Sequence, residues 1–455
     1  MKKFSKLIAA LALVLAAALL TSSALPALTR AEDRNSVQPA WTVPEGYNAH
    51  DYEKCVNFLE QTDENGVKNG DKLSDNYDPN DPGTWGVGYW TNVPLFQWAT
   101  VNGENRIVEI DVFSSTATVC GILDASDCSA LTKLDCSYND LSGVIVSGCT
   151  ALNEISCSGN NINELDVSQN SALMKLWCYD NCIDELDLSS CTGLTELACD
   201  NNNLRELDVT RNTALVSLVC SDNSLTELDV SRNTALLHLS CSNMDLSSLD
   251  VSKNTQLKLL VCDNTGITEI DISNNTELVA LSCLENNLRE IDMTNNTDLP
   301  LDYIRAEGGG YIGFVEDHYG GEGATGVFAY PNEGENFLGF YDENGNLLYE
   351  GETDSYYAGY CYFNFYDDTR NTIIARFSGE SAPTPEPVEP TDEPAPVEPT
   401  AEPAPVEPTA VPAPAEPTPA PVPAPPATGT VALIGLGVIS AISGLGITVF
   451  KKKND

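Results

Sequence analysis

The sequence predicts an α/β-type solenoid, built of short parallel β-strands joined by irregular and 3-10 turns. A helical cap is expected at its N-terminal end and a small β-rich domain at its C-terminal end. Two observations carry this reading. Eight cysteines, Cys136, Cys157, Cys178, Cys199, Cys220, Cys241, Cys262 and Cys283, stand 21 residues apart, and so strict a period means stacked copies of one structural unit. Each cysteine also closes the same apolar pattern, as in Leu194-x-x-Leu197-x-Cys199 followed by Asn202-x-Leu204. The general unit is L-x-x-L-x-C-x-x-N-x-L-x-x-L-D-V-S-x-N-T-A.

The chain opens on Met1-Lys2-Lys3 and an apolar run to about Leu20, with small residues near Ala24 and Ala31. A basic start, an apolar run and a small-residue zone make residues 1–31 a secretory signal rather than a fold element. Both Ser22-x-Ala24 and Thr29-x-Ala31 fit a cleavage site. Residues 36–106 form the expected cap. Tyr52, Cys55, Val56 and Leu59 fall at i, i+3, i+4 and i+7, one apolar helical stripe. Trp85, Trp90 and Trp98 follow and lead into a first strand at Arg106–Val112. A solenoid needs such a cover because its first repeat otherwise exposes its core, so these tryptophans read as cap residues.

Residues 107–303 hold the repeats, with eight full copies starting at Leu131, Leu152, Leu173, Leu194, Leu215, Leu236, Leu257 and Leu278. The L-x-x-L-x-C stretch is expected as a strand on the concave face, with Leu and Cys inward. This unit resembles the leucine-rich repeat of bacterial, internalin-like surface proteins, with Cys at the third apolar position of the strand. Neighbouring cysteines lie in register on parallel strands, a geometry poor for disulfides, and act as small apolar residues. Cys182 sits on a variable position. Asn139, Asn160, Asn181, Asn202, Asn223 and Asn286 predict an inward amide ladder that satisfies turn backbone. Met244 and Thr265 break it, with Asn243 and Asn264 one residue early, so a local rearrangement or weak point is expected there. Asp166, Asp187, Asp208, Asp229, Asp250, Asp271 and Asp292 form a second in-register row, read as turn caps with cation binding as the alternative.

From 304 to 379 the period stops, and the chain turns aromatic and Gly-rich. Val327-Phe328-Ala329-Tyr330-Pro331-Asn332-Glu333-Gly334, Phe337–Tyr341 and the closing Ala375-Arg376-Phe377 resemble the β-repeat that follows internalin leucine-rich repeats, with Phe340 in place of its usual Trp. Residues 380–424 are a Pro-rich stalk, repeating V-E-P-T-x-x-P-A-P every nine residues. Polyproline II at about 3.1 Å per residue gives it a reach of roughly 130 Å. Pro425-Pro426-Ala427-Thr428-Gly429, an apolar span at 430–450 and a basic tail at 451–455 are similar to the L-P-x-T-G sorting signal of Gram-positive cell walls, with Pro425 in place of Leu. The resemblance implies cleavage between Thr428 and Gly429 by a sortase and transfer to peptidoglycan. The alternative is a permanent single-span membrane anchor.

A net charge of −44 leaves no basic footprint for nucleic acid. The three histidines, His50, His238 and His318, lie in separate segments, and no H-E-x-x-H, G-x-S-x-G or phosphate-cradling loop is present. No enzyme, cofactor or metal is therefore expected. Binding is the positive case. Lys175, Trp177, Tyr179 and Asp180 in repeat three, Tyr138 in repeat one, Asp200 in repeat four and His238 in repeat six face the concave surface, where most copies carry short polar residues. Large aromatics beside charges suit a protein or glycan partner. The expected function is that of a wall-anchored, adhesin-like binding protein. The alternatives are a structural spacer without a ligand and, third, a surface hydrolase.

Overall fold

A computed structural model of the chain describes residues 41–88, 92–113, 118–316, 325–349, 361–364 and 372–378. The expected signal, stalk, sorting motif and span lie outside these residues, as do Trp90 and His318. Among the described residues no helix is long and apolar enough to cross a membrane.

Helix α1 (Ala49–Leu59) starts where the Asn48 side chain accepts the Asp51 N–H at 3.2 Å, a cap that satisfies one orphan donor of the first turn. It buries Tyr52, Cys55, Val56, Phe58 and Leu59 against the first strands. The short helix α2 (Asn69–Leu73) and a 3-10 turn at Pro82–Thr84 follow. Trp85 is fully enclosed, its indole N–H donated to the Asp78 carbonyl at 2.9 Å. The cap is bolted to the repeats by Asp51. This buried carboxylate accepts Arg106 Nε at 2.6 Å, Arg106 Nη2 at 3.0 Å and the Ile107 N–H at 3.0 Å. Removing one partner of such a pair costs about 3–5 kcal/mol, because the other charge is left buried alone.

The strands run in chain order as β1 (Phe96–Val101), β2 (Glu104–Asp111), β3 (Cys120–Asp124), β4 (Lys133–Asp135), β5 (Asp140–Ile145), β6 (Glu154–Ser156), β7 (Lys175–Trp177), β8 (Glu196–Ala198), β9 (Ser217–Val219) and β10 (His238–Ser240). They continue as β11 (Leu259–Val261), β12 (Ala280–Ser282), β13 (Glu290–Asp292), β14 (Tyr303–Glu307), β15 (Gly310–Glu316), β16 (Thr325–Pro331), β17 (Phe337–Tyr341), β18 (Leu347–Tyr349), β19 (Cys361–Asn364) and β20 (Thr372–Phe377). One 13-stranded sheet has the order β1-β2-β4-β6-β7-β8-β9-β10-β11-β12-β15-β16-β19. From β2 to β12 it is parallel and in register, so Leu134, Ile155, Leu176, Leu197, Leu218, Leu239, Leu260 and Leu281 stack in one buried row. β1 closes it antiparallel at one end, and β15 closes it at the other. A five-stranded sheet, β13-β14-β20-β17-β18, continues the last repeat on its other side. The aromatic C-terminal unit therefore extends the solenoid's own hydrogen-bonded edges.

The eight ladder cysteines are completely buried and unpaired. Cys136, Cys220 and Cys262 donate S–H to the carbonyls of Ser156, Ser240 and Ser282 at 3.6, 3.6 and 3.5 Å. Burial pushes the thiols up, to about 12 at Cys157, Cys241 and Cys283, so they are poor nucleophiles.

The amide ladder works by shared geometry. Asn202 Nδ2 donates to Cys178 O, Cys199 O and Asp200 O at 3.0, 3.1 and 3.2 Å, while its Oδ1 accepts the Ile183 N–H at 3.0 Å. At Met244 and Thr265 the expected rearrangement is confined to hydrogen bonds: the Leu246 N–H goes to Thr265 O at 2.9 Å, and Asn286 Oδ1 accepts the Thr265 and Gly266 N–H groups at 3.0 Å each. Asn243 and Asn264 take φ of 56° and 50°, the left-handed slot that Asp180, Asn201 and Asp222 occupy in other copies. Met244 and Thr265 thus stay in the ladder position. The backbone register is held by Asn243 N–H to Asp263 O at 2.9 Å and Asn264 N–H to Leu284 O at 2.8 Å. The Thr265 hydroxyl lies 2.9 Å from Asn286 Oδ1 and 3.1 Å from Cys262 O, whereas Met244 supplies no such bond.

A second amide ladder escaped the sequence reading. Asn212, Asn233, Asn254 and Asn275 are fully buried. Asn233 Nδ2, for example, bridges Val209 O and Asn212 O, each at 2.9 Å. Cys149 and Cys191 stand in the same slot and donate S–H to Ala125 O at 2.9 Å and Val167 O at 3.6 Å.

On the opposite surface, Asp166, Asp187, Asp208 and Asp229 each accept the backbone N–H two residues on at 2.9 Å. At Asp229 the Ser231 hydroxyl and N–H hold the carboxyl below the usual range. These exposed aspartates cap turns.

Candidate functional site

The concave face is ordered in rows, because in-register strands place equivalent residues side by side. The first row reads Glu109, Lys133, Glu154, Lys175, Glu196, Ser217, His238, Leu259 and Ala280. Its first five members alternate in sign. Lys133 Nζ lies 3.6 Å from Glu109 and 3.4 Å from Glu154, and Lys175 Nζ lies 2.9 Å from Glu196. The second row runs Asp111, Asp135, Ser156, Trp177, Ala198, Val219, Ser240, Val261 and Ser282. Trp177 is half-buried, with Lys175 Nζ 5.4 Å from its ring centroid. Lys175 is thus engaged twice within its own repeat pair.

The residues after the strands form the rim. Tyr138 and Tyr179 meet across repeat two, their hydroxyls 2.8 Å apart and their ring centroids 6.3 Å apart. Tyr179 is half-buried. Burial, and then the Tyr138 bond, push its phenol pKa up. Gly159 lies between them at φ 64°, where a Cβ would stand 2.8 Å from Tyr138 Cδ1. Phe113 packs edge-on against Tyr138 at 5.6 Å. Phe113 and Tyr138 are each 44% exposed. Neither Phe113 nor the clearance at Gly159 was read from the sequence. The signal present was Gly in a slot that mostly holds Asp or Asn.

The rim acids behave differently from one another. Asp200 was expected to face solvent, but it is only 9% exposed. Burial, with Asp180 and Asp222 on either side, raises its carboxyl to about 7. The fold buries this slot in most copies, as at Ser137, Ser158, Ser221 and Ser242. Asp180 is half-exposed in the left-handed slot and accepts an amide N–H from Asn201. His238 lies three repeats from Trp177, between Ser217 and Leu259. Burial, and then Lys258, lower its pKa. The structure thus gathers Tyr138 with Tyr179, and Lys175 with Trp177. Asp180 and Asp200 are rim neighbours, and His238 stands apart.

Nothing in this geometry assembles a nucleophile with a base. His50 lies on the cap, its ring nitrogen 2.8 Å from Ser126 O. Among the described residues no group of three His, Cys, Asp or Glu side chains is placed to hold a metal.

No protein-family profile matches the chain, and no curated protein matches it. Among solved structures it is similar to the functional domain of InlJ from Listeria monocytogenes, described as including a cysteine ladder. That match has 26% identity over 59% of this chain and 75% of that one, with a TM-score of 0.36. An internalin, InlF, from the same species matches at 18% identity over 42% of this chain and 65% of that one, with a TM-score of 0.36. The leucine-rich repeat ectodomain of the Arabidopsis thaliana receptor kinase GASSHO1/SCHENGEN3, in complex with CASPARIAN STRIP INTEGRITY FACTOR 2, matches at 18% identity over 55% of this chain and 31% of that one, with a TM-score of 0.42.

Proposed function

We propose that the chain is a surface-displayed binding scaffold, adhesin-like, whose concave repeat face engages a macromolecular partner. One observation carries this: Tyr138, Tyr179 and Trp177 put large aromatic rings on a face where the equivalent positions hold mostly short side chains. Aromatic rings amid hydrogen-bonding and charged groups are the usual anchors of an interface. The contact set on this reading is Trp177, Tyr179, Lys175, Asp180 and Tyr138, with His238 at its margin and the buried Asp200 beneath it.

Display outside the cell rests on the sequence alone. An N-terminal signal, a Pro-rich spacer, the Pro425–Gly429 motif and the apolar span at 430–450 fit export followed by sortase attachment at Thr428. A spacer role without a ligand is favoured by one fact, that Lys133, Lys175 and their glutamates neutralise one another.

The test is a binding screen of the full chain against host-cell proteins, glycans and bacterial wall material, comparing wild type with Trp177→Ala. A saturable partner weakened about tenfold or more in the variant is the expected result, the size typical of an interface hot spot. Absence of any saturable partner supports the spacer instead.

A further inference from the structure

We propose that the Phe113–Tyr138–Tyr179 ring cluster is the anchor for a lysine- or arginine-bearing segment of a protein partner. The inference rests on the concave-face reading above and names the chemistry of what binds there.

Tyr138 is the starting point. It sits at φ 56°, a region costly for a bulky residue and easily taken by Asn, Asp or Gly. The equivalent slot holds Gly159, Asp180, Asn201, Asp222, Asn243 and Asn264 in the next six copies. The tyrosine is therefore a poor choice for the turn. It fills no core either, since it stays 44% exposed. What its position achieves is display. Its ring crosses the glycine gap, bonds Tyr179 and packs at 84° against Phe113, which is equally exposed.

The charges beside the rings decide what docks. Asp111 and Asp135 lie directly opposite each other on β2 and β4, a like-charge pairing that destabilises a sheet. Asp180 and Asp200 follow on the rim. Among the described residues, none of these four is ion-paired with Lys or Arg, because the nearby Lys133 and Lys175 are taken by glutamates of the first row. Aromatic faces are electron-rich and attract cations. Rings and the carboxylates of Asp111, Asp135 and Asp180 on one rim thus converge on a positive group carried by an aliphatic stem, as Lys and Arg side chains provide.

A chain of charge −44 attracts any polycation, so the test must hold charge constant. The full chain is titrated with decalysine, decaarginine, a Gly-Ser peptide of equal length and a neutral oligosaccharide, at low and high salt. The variants are Tyr138→Asn, Tyr138→Phe and Trp177→Ala, each checked by thermal unfolding. A saturable basic-peptide site is expected to weaken about tenfold in Tyr138→Asn, the scale of a partly desolvated cation–π contact. The same variant should unfold at the same or a higher temperature, since Asn suits the turn. Tyr138→Phe should bind nearly as wild type, and high salt should weaken the site. Basic-peptide binding unchanged in Tyr138→Asn overturns the inference. So does a site that takes the neutral oligosaccharide and not the peptides. A partner lost in Trp177→Ala but kept in Tyr138→Asn overturns it while leaving the concave-face reading intact.

Discussion

Asp200 shows how a single residue records its surroundings. In the unfolded chain its carboxyl titrates near the ordinary value of about 4, while in the solenoid burial and flanking acids raise it to about 7. Between these values the folded state binds the proton that the unfolded state has released. Stability from this group is therefore complete below about pH 4 and is lost as pH rises toward 7. Urea unfolding from pH 5 to 8 should show declining stability, with a contribution on the order of 2–4 kcal/mol from this site. Asp200→Asn should flatten that part of the slope. An unchanged slope in the variant would mean that Asp200 is solvated and ordinary. The buried setting was not legible in the sequence. Asp200 occupies a position that alternation assigns to solvent, yet the fold buries that slot in most copies, as at Ser137, Ser158, Ser221 and Ser242.

At the level of the ladders, legibility followed repetition. The first amide ladder could be read because six copies keep Asn at one spacing. The shared slot of Cys128, Cys149, Cys191 and the later asparagines is legible from the period, but that thiol and amide alike donate to carbonyls of the preceding copy is not. The aromatic rim was harder still, since Tyr138 and Tyr179 are 41 residues apart and meet only because Gly159 leaves room. Met244 offers a direct test of ladder energetics. Its copy leaves Cys241 O and the Leu225 N–H without the amide that serves the corresponding atoms elsewhere, and leaves Cys220 O with the Asn223 amide alone. Met244→Asn should raise stability by about 1 kcal/mol, the net worth of a buried hydrogen-bond set after desolvation. Thermal melts of the pair decide it, and a lower melting temperature would show that packing of the thioether outweighs the missing bonds.

Over the whole molecule, repeats contact chiefly their immediate neighbours, with Tyr138 and Tyr179 reaching across repeat two as an exception, so stability is close to a sum of repeat and interface terms. The cap and the C-terminal unit protect the two open ends, one through Asp51 and Arg106, the other through β13 and β15. The alternating row Glu109, Lys133, Glu154, Lys175 and Glu196 sets a rule on how such a chain changes length. Excising the repeat that carries Lys175 would bring Glu154 beside Glu196, whereas excising it together with the next keeps a short polar neighbour, Ser217, beside Glu154. Single excision should therefore unfold at lower temperature than double excision, despite removing less chain. The register of one row of charges thus makes two repeats, rather than one, the natural step by which this half of the gene could shrink or grow.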